Sequence, residues 1–269
     1  ASNIARLACD LTGAPHSLIQ MVDPPAIQVV VKRLAMQKIR TIGWKPDVSL
    51  EDGMRKVMEW VKTLPWPRLS IVVPAFNAAR TISQTLKSLQ DQTMTDWEAI
   101  VVDDGSADYT YNIARAFGER DPRIWAIRLD RNSGAPRAFN VGVAHAAGKY
   151  LAHLAADDYW LPDFAATCVD TLENEQMCTG VYTDFIEWHE EPWGGMKSIR
   201  RMPDFDRKRL LREDYVNLSA FVTRWPLYLD PKWEPVSDWE SVIRMTRNGL
   251  FIHVPKLLSV RRMHGNQIT

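Results

Sequence analysis

Apolar and polar residues follow two different rhythms along the chain after residue 68. Short apolar runs predict buried strands, and intervening segments with apolar residues every three or four positions predict helices. The predicted strands are Leu69–Val73, Glu98–Val102, Ile124–Leu129 and Tyr150–Leu154. The first predicted helix runs from Ala79 to Gln90, the second follows the turn Asp103–Ser106 and ends at about Phe117, and the third runs from about Phe139 toward Gly148. This alternation predicts an α/β fold, in which a mostly parallel sheet carries helices on both faces.

The first 66 residues predict a small N-terminal α/β extension instead. Its predicted elements are a helix at 3–11, strands at 17–22 and 27–31, and a helix at 49–64 with Ser49 as its cap. Pro65-Trp66-Pro67 would interrupt a helix or strand, so we place a boundary there, between residues 1–66 and a domain at 67–269. The stretch 7–31 resembles the opening helix and hairpin of a GAF domain. A complete GAF core does not fit before the boundary, and we expect no small-molecule sensing from it.

Composition excludes several classes of protein. The 33 basic and 33 acidic residues give a formal net charge of zero, which argues against a broad nucleic-acid-binding face. Cys9, Cys168 and Cys178 have neither zinc-site nor disulfide-framework spacing, so we expect a reducing, cytoplasmic location. No apolar run reaches the roughly 18 residues of a membrane span, and no signal-peptide pattern is present. Peripheral association with a membrane stays open.

Polar or turn-forming residues lie just past the ends of three of the predicted strands. They are Pro74–Asn77, Asp103–Ser106 and the acidic pair Asp157-Asp158. Ligands of open α/β sheets bind at the carboxyl ends of the strands, so these loops should converge on one site. Adjacent carboxylates repel each other unless a cation or hydrogen bonds compensate, and a divalent ion that also holds substrate phosphates suits such a pair. The alternative is that each acidic pair forms a turn and caps the next helix.

The motifs, taken in order, resemble those of one enzyme family. They are Ile71-Val72-Val73-Pro74-Ala75-Phe76-Asn77, Gln90-Asp91-Gln92-Thr93, Ile100-Val101-Val102-Asp103-Asp104-Gly105-Ser106, Asn132-Ser133-Gly134, Asn140-Val141-Gly142, Ala147-Gly148-Lys149-Tyr150, Asp157-Asp158, Ser237-Asp238-Trp239-Glu240 and Arg261-Arg262-Met263-His264. Over about residues 68–266 the chain is similar to family-2 glycosyltransferases. The resemblance implies the Rossmann-like GT-A fold, with a donor half at about 67–160 and an acceptor half at about 161–269.

A nucleotide-sugar donor needs contacts for its nucleoside. The loop of Pro74, Ala75, Phe76 and Asn77 can wrap the nucleoside with backbone groups and the face of Phe76. Asp104 is the candidate acceptor of a hydrogen bond from the nucleobase or ribose, and the resemblance implies the same role.

The resemblance also implies a metal-assisted diphosphate site. Asp158 should hold Mn²⁺ or Mg²⁺ against the diphosphate, Asp157 should contact the ribose or sugar, and His264 could reach the metal or diphosphate. The family's usual third carboxylate, two positions before the pair, is Ala155 here, which puts a third carboxylate ligand in doubt. Arg137 could reach a phosphate, and the alternative for Arg137 is a solvated position on a helix surface.

The acceptor half contributes the proposed chemistry of transfer. The resemblance implies that Asp238 is the general base that takes the proton of the acceptor hydroxyl, with Glu240 as the fallback. One carboxylate base without a covalent intermediate gives a single displacement with inversion. Trp188, Trp193 and Trp239 could stack on sugar rings, although core packing accounts equally well for tryptophans.

The resemblance therefore implies an inverting glycosyltransferase that moves a sugar, hexosyl or N-acetylhexosaminyl, from a UDP-linked or similar donor to a glycan or other hydroxyl acceptor. Such an enzyme would act in polysaccharide biosynthesis. One alternative is a nucleotidyltransferase of related architecture, which would carry a Gly-rich triphosphate loop where this chain has Pro74–Asn77. The other is a non-catalytic module that binds nucleotide-sugars. Neither a nucleic-acid partner nor a transmembrane segment is expected.

Overall fold

The structure is a computed structural model that describes residues 48–63, 66–190, 195–224, 240, 242, 243, 246 and 249–264. The chain divides into two compact units, Ala1–Pro65 and Trp66–Thr269. Helix α1 (Leu50–Thr63) is the described element of the first unit. The Ser49 hydroxyl oxygen accepts a hydrogen bond from the Asp52 backbone N–H at 3.0 Å, which is the helix cap expected from the sequence. The helix and hairpin predicted within residues 3–31 lie outside the described residues.

The first half of the second unit is the parallel part of the sheet. Its strands are β1 (Leu69–Ala75), β2 (Trp97–Asp103), β3 (Ile124–Arg128) and β4 (Tyr150–His153). Its helices are α2 (Ile82–Gln90), α3 (Thr110–Gly118) and α4 (Ala135–His145). β1 pairs in parallel with both β2 and β4, and β3 pairs in parallel with β2. The predicted α/β class and the parallel sheet are confirmed.

Both faces of the central strand β1 are buried, as a parallel sheet requires. Ile71 and Val73 belong to the apolar cluster that includes Leu86 of α2. Val72 points into the opposite cluster, which includes Phe139 of α4. The sheet is therefore covered on both faces, and the loops at its carboxyl edge stand on a rigid base.

The second half adds strands of mixed direction. Its elements are β5 (Tyr159–Trp160), α5 (Phe164–Asn174), β6 (Cys178–His189), β7 (Met196–Arg200), α6 (Arg207–Leu210), a 3₁₀ turn (Leu218–Ala220), β8 (Phe221–Arg224) and β9 (Leu250–Met263). Within the described residues the sheet order is β3-β2-β1-β4-β8-β6-β9-β5, with β7 paired to β6. β8 is antiparallel to both β4 and β6, and β9 is parallel to β6. Thus β1, β4 and β9 all point their carboxyl ends toward the same edge.

The structure shows the state of two cysteines and the length and hydropathy of the described helices. Cys168 and Cys178 are buried free thiols, and burial raises the pKa of both. A thiol held protonated is a poor nucleophile, so neither is a candidate for catalysis. None of the described helices combines the length and hydropathy that crossing a membrane requires.

Candidate active site

The loop after β1 is held by the loop after β2. The Asn77 backbone N–H donates to the Ser106 hydroxyl at 2.9 Å, and the Asn77 side-chain carbonyl accepts from the Ala107 N–H at 3.0 Å. Asn77 has φ of 50°, a left-handed conformation that Asn tolerates better than most residues. Phe76 is left 37% exposed beside it. The expected nucleoside loop is thus rigidly built and presents an open aromatic face.

Asp104 connects the loop after β2 to the start of α4. Its two carboxylate oxygens accept hydrogen bonds from the backbone N–H groups of Ser133 at 2.9 Å and Gly134 at 2.7 Å. The side chain is buried. These two hydrogen bonds position the Ser133–Gly134 loop, a role that the sequence did not suggest for Asp104. A carboxylate oxygen has two acceptor sites, and each can still receive a second donor. Beside it, buried Asp103 lies 3.4 Å from the Arg128 guanidinium.

The turn after β4 carries the acidic pair, and its backbone is fixed by α2 and by Thr81, the residue just before that helix. The Thr81 hydroxyl donates to the Ala156 carbonyl at 2.9 Å, and the Thr85 hydroxyl donates to the Asp158 carbonyl at 2.7 Å. The two carboxylates leave this turn in different directions. Asp157 is partly exposed, and its Oδ2 lies 3.1 Å from His264 Nε2 at the end of β9.

Asp158 is 3% exposed and points into the protein. Its Oδ1 accepts a hydrogen bond from the Arg262 backbone N–H at 2.9 Å. Burial, followed by the charge of Asp157, raises the pKa of the Asp158 carboxyl, and hydrogen bonds from Ser219 and Arg262 oppose that rise. The expected metal ligand Asp158 therefore joins the turn to β9, while Asp157 is the carboxylate that meets His264.

The other candidate residues are placed unevenly. Arg137 lies exposed on the first turn of α4. Trp188 is half-buried between a T-shaped contact with Tyr159 and the Arg262 guanidinium, 4.8 Å from the centre of its ring. Glu240 is half-exposed. Asp238, Trp239 and Trp193 lie outside the described residues.

The residues at the end of β9 are compatible with a divalent ion. Asp157 Oδ2 and His264 Nε2 face each other with about a fifth of each side chain exposed. Carboxylate oxygen is a preferred ligand of Mg²⁺ and Mn²⁺, and imidazole nitrogen binds many divalent metals. Within the described ranges no three His, Cys, Asp or Glu residues form a metal-binding cluster. An ion here would depend on the substrate diphosphate for further ligands, as Mg²⁺ commonly does.

Comparison with solved structures identifies the fold. The fold is similar to residues 1–349 of TarS from S. aureus, solved with UDP-GlcNAc, at a TM-score of 0.59 and 19% identity, over 74% of this chain and 60% of that one. It is also similar to the mannosyltransferase PcManGT from Pyrobaculum calidifontis, solved with GDP-Man and Mn²⁺, at a TM-score of 0.57 and 18% identity, over 98% and 69% of the two chains. At such identities the likeness shows the fold, which is that of the GT-A glycosyltransferases.

Sequence comparison gives the family. The model of glycosyl transferase family 2 matches residues 70–228, and the chain belongs to that family. A chondroitin synthase of Pasteurella multocida is 29% identical over 205 residues, which cover 74% of this chain. The same stretch spans 21% of that relative, so this chain matches about a fifth of its length.

Proposed function

We propose that the chain transfers a sugar from a nucleotide-diphosphate donor to an acceptor hydroxyl. The transfer is assisted by a divalent ion and inverts the configuration at the anomeric carbon. The pairing of Asp157 with His264 supports this most directly. It puts a carboxylate and an imidazole at the same sheet edge as the loops of Phe76 and Asp104. A donor there would place its nucleoside on those loops and its diphosphate near Asp157.

Each described residue has a separate task in this proposal. Phe76 and Asn77 line the nucleoside site. Asp104 orders the Ser133–Gly134 loop, and its remaining lone pairs accept a hydrogen bond from the nucleobase. Asp157 and His264 hold Mn²⁺ or Mg²⁺, which would offset the negative charge of the leaving diphosphate. Asp158 holds the turn in place, because its carboxyl is buried against β9. This assignment moves the metal from Asp158, where the resemblance implied it, to Asp157, and it gives Asp158 a structural role.

The acceptor side of the proposal rests on sequence. Asp238 takes the proton of the acceptor hydroxyl as its oxygen attacks the sugar. The acceptor site is lined by Trp188, Trp193, Trp239 and Glu240. General-base catalysis contributes about 10² to 10⁴ in rate. Asp238→Asn should therefore lower transfer by about that factor with donor binding unchanged, measured by product formation and calorimetry. Native transfer rates in this variant, or a product of retained configuration, would contradict the mechanism.

The donor nucleotide is proposed to be UDP. TarS was solved with UDP-GlcNAc and PcManGT with GDP-Man, so both nucleotides belong in the test. Calorimetric titration with UDP and GDP, with Mn²⁺ and with a chelator, should show tight metal-dependent binding of UDP. Tighter binding of GDP would move the assignment to that nucleotide.

The adjacent acids provide a matched pair of variants. Asp157→Asn should remove most of the metal dependence of UDP binding, because a direct ligand should matter more than the outer-shell partners whose replacement lowers metal affinity about 10- to 100-fold. Asp158→Asn should chiefly lower thermal stability, since it weakens a buried contact to β9. The opposite pattern would return the metal to Asp158. Native binding without any transfer or donor hydrolysis would favour a non-catalytic module, and incorporation of a nucleotide from a triphosphate would favour a nucleotidyltransferase.

A further inference from the structure

Arg262 is buried at the end of β9, and its guanidinium contacts three other segments. The side chain is 7% exposed. Its Nε donates a hydrogen bond to the Asp157 backbone carbonyl at 3.0 Å. Its two terminal nitrogens bond the Glu190 carboxylate, just after β6, and the Gln84 side-chain carbonyl on α2. A buried arginine with each nitrogen engaged is fixed in one conformation, and so are the groups it holds.

Arg262 also holds the acidic turn through its backbone. Its N–H donates a hydrogen bond to the Asp158 carboxylate at 2.9 Å. Arg262 therefore contacts both Asp157 and Asp158. His264 lies two residues further on, and side chains at that spacing leave an extended strand on the same side. The carboxylate that meets His264 belongs to Asp157, whose carbonyl Arg262 holds. Arg262 therefore links the two side chains proposed to bind the metal.

We infer that Arg262 is a positioning residue for the donor site, holding Asp157 at the distance from His264 at which the two can share a divalent ion. This inference rests on the proposed function. Arg262 has no direct part in the chemistry, because its side chain is buried against Glu190, Gln84 and Trp188. Glu190 takes part by fixing the guanidinium, and it also lies 3.4 Å from Arg80.

Lysine cannot replace this arrangement, although it keeps the charge. A guanidinium presents five N–H donors in a rigid plane, whereas an ammonium is a point charge on a flexible stem. Arg262→Lys can satisfy Glu190, but it cannot hold Glu190, Gln84 and the Asp157 carbonyl in one geometry. The backbone N–H to Asp158 remains in this variant, so the fold should survive while Asp157 gains freedom.

The test measures the Mn²⁺ concentration needed for half-maximal UDP binding, by calorimetry on the full chain. Arg262→Lys should raise it about 10-fold or more, as replacement of outer-sphere partners does at metal sites. UDP binding in chelator should not change, and transfer should recover at saturating Mn²⁺. Glu190→Gln should shift the metal requirement in the same direction, and it carries the test if Arg262→Lys fails to fold.

Arg224, the last residue of β8 in the same sheet, supplies a matched control. Its guanidinium also binds backbone carbonyls, those of Leu172, Cys178 and Glu175, and none of these belongs to the proposed site. Arg224→Lys should lower the melting temperature without changing the metal requirement. An unchanged requirement in folded Arg262→Lys, or the same shift in Arg224→Lys, would overturn the positioning role. Native protein without metal-dependent UDP binding would instead overturn the proposed function itself.

Discussion

At the scale of single residues, Asp104 shows how one carboxylate can serve both fold and ligand. Its two oxygens accept from Ser133 and Gly134, which an amide could do only in part, since the NH₂ of Asn would face one of the N–H donors. Asp104→Asn should lower the free energy of unfolding by about 1 to 3 kcal/mol and weaken UDP binding. Chemical denaturation and calorimetry measure the two effects. Asp130→Asn, an exposed acid nearby, should change neither; a stable Asp104→Asn with native affinity would show that these bonds carry no weight.

Asp121 makes a contribution to stability that depends on pH. Hydrogen bonds from Arg123, at 2.8 and 3.0 Å, lower the pKa of Asp121 from 3.8 to about 2 against the opposing effect of burial. Because the folded pKa lies below the unfolded one, the stabilisation is complete above about pH 4 and is lost as the pH falls toward 2. Asp121→Asn should cost about 2 kcal/mol at neutral pH, and the difference from native protein should shrink over that window.

Denaturant unfolding at several pH values tests this prediction. Asp91→Asn is the control, because Asp91 forms an exposed i,i+4 pair with Lys87 that should contribute little. A constant difference between native and Asp121→Asn from pH 7 to pH 2 would contradict the argument.

At the scale of elements, Gly142 sets how closely α4 approaches the sheet. A Cβ at this position would lie 2.3 Å from Val72 Cγ1 and 3.2 Å from Val102 Cγ2. Gly142→Ala should therefore destabilise the protein by about 1 to 3 kcal/mol, although alanine normally favours helices. In the double variant Gly142→Ala/Val72→Ala, the loss of stability should be smaller than the sum of the two single losses, because alanine at position 72 leaves room for the new Cβ. Strict additivity in this double-mutant cycle would exclude the close approach as the cause.

The parallel strands were predictable because each is a short apolar run between turns. β1 to β4 all fall within two residues of their predicted positions at either end. α2 begins at Ile82 rather than Ala79, because residues 78–81 form a turn that is held through the Thr81 hydroxyl and backbone. The mixed strands of the second half were not predicted. β6 and β9 pair through bulges and carry polar residues in their interiors, which hides the two-residue period.

The candidate site was predictable as a set of loops but not in its internal geometry. Strand ends locate Asp104 and Asp157 at one edge of the sheet. Sequence spacing cannot decide which of two adjacent acids turns outward, because the turn and its contacts with Thr85 and Arg262 decide it. Arg262 was noticed as part of a basic motif, while its bond to the Asp157 carbonyl depends on β9 lying beside β5.

At the scale of the whole molecule, the donor residues all belong to the second unit, Trp66–Thr269. Phe76, Asp104, Asp157 and His264 stand on one sheet, and that sheet has apolar clusters on both faces. A chain lacking residues 1–65 should therefore unfold cooperatively and keep metal-dependent UDP binding within a few-fold of the full chain, by calorimetry. Asp157→Asn in the shortened chain should again remove most of that dependence, which would tie the metal-dependent binding to the same site. A shortened chain that unfolds cooperatively yet binds no UDP would assign part of the donor site to the first unit.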